Sequence, residues 1–277
     1  MTATDPTTEI WMTCLQRRAQ PQVRLICLPH AGGDLFTFLP WIEEPVALAP
    51  HIEAWALQLP RVPRFGHYAE LVPALADAIL AQFPTAEKQP PGVPLALFGH
   101  SLGALLAFGI ARRLRALGAA NPVCLVVVGA YAPQRLLPGI SVLGWTDSDW
   151  EIYLRALGGT PDAVFADPTE RDDLIAEVRD NFAVRTSFHY MEEPPFTFPI
   201  AVFAGRDDSE CPEIADLAAW QDQTHGPFSL HLFPGGHFFL HNPDHRPRFL
   251  QQLSFAVAPW PATVPPNVSV RRESWAS

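Results

Sequence analysis

Apolar residues in this chain fall in short continuous runs separated by stretches of helical spacing. Gln22–Leu28, Ile52–Leu59, Val123–Val128, Pro199–Ala204 and Phe228–Phe233 are such runs, and Leu95–Phe98 ends another. They are too short for helices and too continuous for half-exposed strands, so they read as buried strands. Between them, Leu71, Leu75, Ile79, Leu80 and Phe83 line one side of a helix over Tyr68–Phe83. Leu102, Leu105, Leu106, Ile110, Leu114 and Leu117 do the same after Ser101. Alternating buried strands and helices predict a mostly parallel central sheet flanked by helices on both faces, an α/β architecture. A ligand site then belongs at the carboxyl ends of the strands.

The rhythm changes at Pro133. No convincing strand occurs from 133 to 196. Ser148-Asp-Trp-Glu151 reads as a capping box opening a helix through Leu157. Asp167-Pro-Thr-Glu170 opens another, with Leu174, Ile175, Val178 and Phe182 on one face. A helical block inserted on the ligand side of a sheet is expected to act as a lid. The expected organisation is a discontinuous core of residues 1–132 and 197–257, a helical lid at 133–196, and a mobile proline-rich tail at 258–277. Residues 1–20 read as an irregular lead-in. Helices are expected at Pro212–Trp220 and Phe238–Val257.

Composition narrows the class. Of 277 residues, 48% are hydrophobic and 17% charged, enough apolar material for a large core. The net charge of −10 argues against nucleic acid as a main partner. No run approaches the ~20 apolar residues of a membrane span, and the N-terminus has no secretory pattern. The four cysteines are scattered, which suits a reducing compartment, so a cytoplasmic location is expected. Neither metal-ligand spacing nor Gly-x-Gly-x-x-Gly occurs, so no metal or cofactor is expected.

Gly99-His-Ser-Leu-Gly103 fits Gly-x-Ser-x-Gly where a strand turns into a helix. That turn projects the Ser101 hydroxyl from the chain's path, and the following helix N-terminus favours a developing oxyanion. A serine nucleophile needs a base and an orienting carboxylate. His237 follows the last strand and a Gly-Gly loop, and Asp207 and Asp208 follow the strand before it, in the chain order Ser, Asp, His. The loop Pro29-His-Ala-Gly-Gly33 is placed to supply an oxyanion donor, the Ala31 N–H. His100 is expected to point away from the serine hydroxyl. His225, His231 and His241 read as surface or capping residues. Phe36, Phe38 and Trp41 are expected at the next helix or the mouth of an acyl pocket.

These motifs together resemble the type II (external) thioesterases of polyketide and nonribosomal peptide synthesis, a branch of the α/β-hydrolases. The matching segments are Leu28–Gly33 with Phe38 and Trp41, Phe98–Phe108, Leu157–Pro161, Gly205-x-x-Asp208, Trp220 and Phe233–Leu240. The resemblance implies Ser101 as nucleophile, Asp208 as acid, His237 as base, and the Ala31 and Leu102 N–H groups as oxyanion donors. It implies a substrate carried on the phosphopantetheine arm of an acyl or peptidyl carrier protein, with that arm belonging to the partner. Clearing of stalled or misloaded acyl groups is the expected role, or product release. The family usually reads Leu-Pro-Gly-Arg after the second strand, and here Leu59-Pro-Arg-Val-Pro-Arg-Phe65 departs from it. Arg61, Arg64 and Phe65 are candidate carrier-docking residues. A carboxylesterase or acyltransferase of the same fold, and a binding module on an inactive scaffold, are the alternative readings.

Overall fold

The computed structural model describes residues 11–43, 48–59, 66–84, 92–119, 122–136, 142 and 144–258. Strand β1 is Trp11–Gln16, β2 Val23–Leu28, β3 Ile52–Gln58, β4 Leu95–His100, β5 Leu125–Val128, β6 Ile200–Gly205 and β7 Phe228–Phe233. They form one seven-stranded sheet in the order β1-β3-β2-β4-β5-β6-β7. Only β1 is antiparallel, paired with β3. Strands β2 to β6 bury side chains on both faces, whereas β7, read from the sequence as buried, is the sheet edge and is mostly half-buried. Trp55, Ile26, Leu97, Leu125 and Ile200 form a row across the sheet, packed with helices α1 (Tyr68–Gln82) and α2 (Leu102–Ala116). The next row, Ala56, Cys27, Phe98, Val126 and Ala201, faces Phe38, Trp41 and the C-terminal helix, Arg246–Ala256. Each fully buried Leu, Ile or Val contributes about 1.5–3 kcal/mol over exposure. This double coverage explains the continuous apolar runs.

Between β5 and β6 the chain leaves the sheet and forms α3 (Asp147–Leu157), α4 (Asp162–Ala166) and α5 (Pro168–Thr186). Trp150, Leu154, Phe165, Ile175, Val178 and Phe182 make a separate small core there. Asp167 caps α5, accepting from the Thr169 and Glu170 N–H groups at 2.8 and 3.2 Å. Beyond β6, α6 (Ile214–Ala218) precedes β7 and α7 (Arg246–Ala256) follows it.

Several expectations need correction. The lead-in contains β1, an edge strand that owes its existence to pairing with β3, as in Cys14 opposite Trp55. Helix α3 is capped by Thr146 and Asp149, not by Ser148 and Glu151. The earlier box wins because Asp149 accepts from both the N–H and the hydroxyl of Thr146, at 2.8 and 2.6 Å. Helix α4 has no counterpart in the sequence reading. Helix α6 starts at Ile214 and gives way to a 3-10 turn, Ala219–Gln223. The terminal helix begins at Arg246, because Asn242 accepts from the Asp244 N–H in a turn around Pro243. Arg61, Arg64, Phe65 and all of the tail after residue 258 lie outside the described residues.

Candidate active site

All parallel strands end on one edge, and the loops leaving them converge there. Between β4 and α2, Ser101 has φ 54° and ψ −117°, the one positive φ of a non-glycine residue among the described residues. Such a conformation costs about 1–3 kcal/mol and persists only when its surroundings enforce it. They do so here. A β-carbon on Gly99 would strike the backbone of Gly103, and one on Gly103 would strike the carbonyl oxygens of Leu28 and Pro29. The Ser101 N–H donates to the Val128 carbonyl at 2.8 Å. Leu102 opens α2, and neither its N–H nor that of Ala31 has a hydrogen-bond partner among the described residues.

Beyond β7, His237 donates through Nδ1 to Asp208, at 2.9 Å to Oδ2 and 3.1 Å to Oδ1. Both side chains are buried, and Asp208 Oδ1 also accepts from the Glu210 N–H at 2.9 Å. The neighbouring Asp207 is exposed and instead accepts from the Gly235 N–H at 3.3 Å. The two aspartates left open by the loop sequence are thus distinguished by geometry. With Nδ1 engaged, the imidazole of His237 keeps Nε2 for another partner.

Ser101, Ala31, Leu102 and His237 line one cavity of about 510 Å³. Its walls come from the sheet edge and from the helical insertion, through Tyr153, Leu157, Val178, Asn181, Phe182 and Arg185. Phe36, largely exposed, stands on its rim, while Phe38 and Trp41 are fully buried under the sheet. Burial, with Glu210 hydrogen-bonded beside it, holds the Tyr153 phenol above its ordinary range. It therefore stays a neutral hydroxyl.

Three histidines cluster beside the loop that carries the base, and one of them, His100, packs its ring against His237 at 4.8 Å between centroids. His100 donates through Nε2 to the His237 carbonyl at 3.0 Å, which leaves its Nδ1 as a buried lone pair without a partner among the described residues. His30 and His241 pack against Phe238. Nitrogens of His30, His100 and His241 lie within 4.8 Å of one another, a cluster no local spacing reveals. His241 is thereby a cavity-wall residue, not a surface or capping one, and His231 stacks on Phe203. Burial lowers His30 to about 3 and His241 to about 4, and it holds His100 well below the ordinary range.

Sequence reasoning did not single out Tyr153, Asn181, Arg185 or Glu210. Arg185 lies three residues after Phe182 on the predicted apolar face of α5, which is a usable signal. Asn181 gives none. Gly129, where a β-carbon would come within 3.1 Å of His237 Cε1, was not singled out either; its place just after β5, at the carboxyl edge of the sheet, is the usable signal.

Strand β4 sits in the middle of the sheet, and the acid and imidazole follow strands further along the chain. A parallel sheet organised around a serine elbow in this way is an α/β-hydrolase. The narrower assignment comes from comparison. The family model described as a thioesterase domain matches residues 23–255, and the chain belongs to the thioesterase family. Its similar proteins include the gramicidin S biosynthesis protein GrsT of Aneurinibacillus migulanus, 34% identical over 90% of this chain and 96% of that protein. Thioesterase PikA5 of Streptomyces venezuelae is 32% identical over 85% of this chain and 82% of its own length. The solved structure of the type II thioesterase BorB from the borrelidin biosynthetic cluster superposes with a TM-score of 0.75. It is 31% identical and covers 93% of this chain and all of that one. The protein is thus a thioesterase, an enzyme that hydrolyses thioesters.

Proposed function

We propose that the enzyme removes acyl groups from the phosphopantetheine arms of carrier proteins in polyketide or nonribosomal peptide synthesis, by a Ser101, His237 and Asp208 triad. The observation that carries this reading is the buried Asp208–His237 pair on the same cavity as the strained Ser101 elbow. Asp208 holds the imidazole with Nδ1 protonated. Nε2 then takes the Ser101 proton as the serine oxygen attacks the acyl carbonyl. The N–H groups of Ala31 and Leu102 receive the oxyanion, helped by the positive end of α2. The thiol departs with the proton held by His237. Water, deprotonated by the same imidazole, then cleaves the acyl-serine ester and restores the hydroxyl. No resident cofactor or metal enters this scheme.

The pathway assignment is supported by the relatives. GrsT is named for gramicidin S biosynthesis, and BorB is described as a type II thioesterase of the borrelidin cluster. The helical segment 133–196 serves in this reading as the lid of an acyl chamber, because α3 and α5 form the cavity wall opposite the sheet edge.

A panel of acyl-carrier proteins, followed by intact-mass loss of the acyl group, tests the substrate. Fluorophosphonate labelling tests the nucleophile. One label per chain is expected, absent in Ser101→Ala, and His237→Ala should lose at least ~10³-fold in kcat. A loss under tenfold would show that the base is misassigned. Faster turnover of oxyesters than of thioesters bearing the same acyl group would point to an esterase.

A further inference from the structure

The three clustered histidines reach one point from three places on the sheet's carboxyl edge. His30 follows β2, one residue before Ala31. His100 ends β4, one residue before Ser101. His241 ends a 3-10 turn, Phe239–His241, just after the loop that carries His237. The ring centroids of His30 and His100 are 5.2 Å apart, and each is 6.4 Å from that of His241. Phe238 packs against all three rings, at 4.8, 5.4 and 5.8 Å. Each ring offers a nitrogen within 4.8 Å of the other two, so the three lie within about 2.8 Å of a common point. A Zn–N bond is about 2.0–2.1 Å long. Moving each ring inward by less than about 1 Å would therefore bring all three nitrogens into a zinc's coordination sphere.

The chemistry of the rings fits a set of ligands. Nδ1 of His30 and Nδ1 of His100 are both buried without a hydrogen-bond partner among the described residues. A buried acceptor left alone calls for an explanation, and a bound ion supplies one. His100 also donates its Nε2–H to the His237 carbonyl at 3.0 Å. A histidine that ligates a metal through one nitrogen almost always donates the other N–H to a carbonyl or carboxylate, which fixes the tautomer and leaves the lone pair for the ion. Burial keeps all three rings neutral, the form that ligates. His30 and His241 line the cavity, which gives an ion a way in and a water as fourth ligand.

We propose that His30, His100 and His241 bind one divalent first-row metal ion, with Zn²⁺ the preferred occupant, and that the ion staples together the chain segments carrying Ala31, Ser101 and His237. Three neutral imidazoles suit Zn²⁺ and its neighbours, whereas Mg²⁺ and Ca²⁺ take oxygen ligands. The net charge of −10 favours a cation, and Arg246, whose charge acts on His241, opposes it. The ion takes no part in thioester cleavage. Its effect is on stability, because it binds only where the three segments are already folded together. Spacing along the chain gave no hint of the site, since its ligands are 70 and 141 positions apart.

The test uses the full chain, stripped with EDTA and desalted. Zn²⁺ binding is followed by calorimetry, Co²⁺ binding by visible absorption, and stability by thermal melting with and without Zn²⁺. The parent should bind one ion per chain and show the visible band of four-coordinate Co²⁺. Excess Zn²⁺ should raise its Tm by at least about 4 °C, and EDTA should reverse the gain. His241→Phe keeps an aromatic ring against Phe238 and removes one ligand. It should weaken Zn²⁺ binding at least about tenfold and abolish the gain in Tm. His241→Gln carries the same comparison if the phenylalanine variant does not fold. His237→Ala should keep the ion, because His100 bonds to the backbone carbonyl of residue 237 and not to its ring. His225→Phe, a change at an exposed histidine, should keep it too. A parent that binds neither Zn²⁺ nor Co²⁺ stoichiometrically overturns the proposal. Unchanged binding in a folded His241→Phe also overturns it. So does loss of binding in His237→Ala, which would put the ion on the Asp208–His237 pair, or in His225→Phe, which would put it on the surface.

Discussion

The serine elbow and the helical insertion both form the cavity, but they are held in different ways. At the elbow, backbone meets backbone, and the atoms that exclude side chains from Gly99 and Gly103 are main-chain atoms of α2, of the end of β2 and of the loop after it. At the insertion, the covering atoms over Gly32 are the ends of Val178 and Leu174. Main-chain atoms anchored in a sheet cannot yield, whereas the ends of aliphatic side chains on a helix can. The insertion also has its own core around Trp150, separate from the two cores that sandwich the sheet. The difference teaches that the reacting atoms are fixed by the sheet, while the chamber around them is set by a unit that can adjust.

The hardest blow to that contrast comes at the elbow. Gly103→Ala places a β-carbon against two carbonyl oxygens and should cost at least about 5 kcal/mol, seen as loss of soluble protein or of a cooperative thermal transition. A variant that melts like the parent would show that the elbow can yield. Next in size is Trp150→Ala, which empties a site between Trp145 and Phe182. It should cost about 3–5 kcal/mol, and amide exchange should speed up in α3–α5 while β4–β6 stay protected. Equal loss of protection in the sheet would mean that the two regions unfold as one. The smallest effect is acid sensitivity at the boundary. Below pH 6.5 the unfolded chain protonates His30, His100 and His241, but burial keeps His241 neutral in the folded chain to about 4 and His30 to about 3, and holds His100 well below its ordinary range. Their stabilising contribution is full above pH 6.5 and is lost as the pH falls toward those lower values. His241→Phe should flatten the fall of stability between pH 6.5 and 4 by about 1–3 kcal/mol. An unchanged slope would place the acid response elsewhere.

Much of this molecule was legible in its sequence. Buried parallel strands are continuous apolar runs because both faces are covered, and Gly-x-Ser-x-Gly is read from adjacent positions. Strand β1 was hidden because an edge strand has one ladder, and the partner that makes it a strand is β3, distant in the chain. The start of α3 was misread because two capping boxes overlap, and only hydrogen-bond geometry decides between them.

By itself the sequence determined the layer order of strands and helices, the elbow at Ser101 and the chemical types needed around it. Each of these depends on interactions among near neighbours in the chain. Between the adjacent Asp207 and Asp208 the loop residues alone left a choice that only the family resemblance narrowed, and the tertiary structure brings Asp208 to His237. Tertiary structure alone decided that three distant histidines pack together behind the base and that Asn181 of the insertion reaches the His30–Gly33 turn. Those contacts join positions far apart along the chain, so their direction and distance exist only once the sheet has brought its carboxyl edge together.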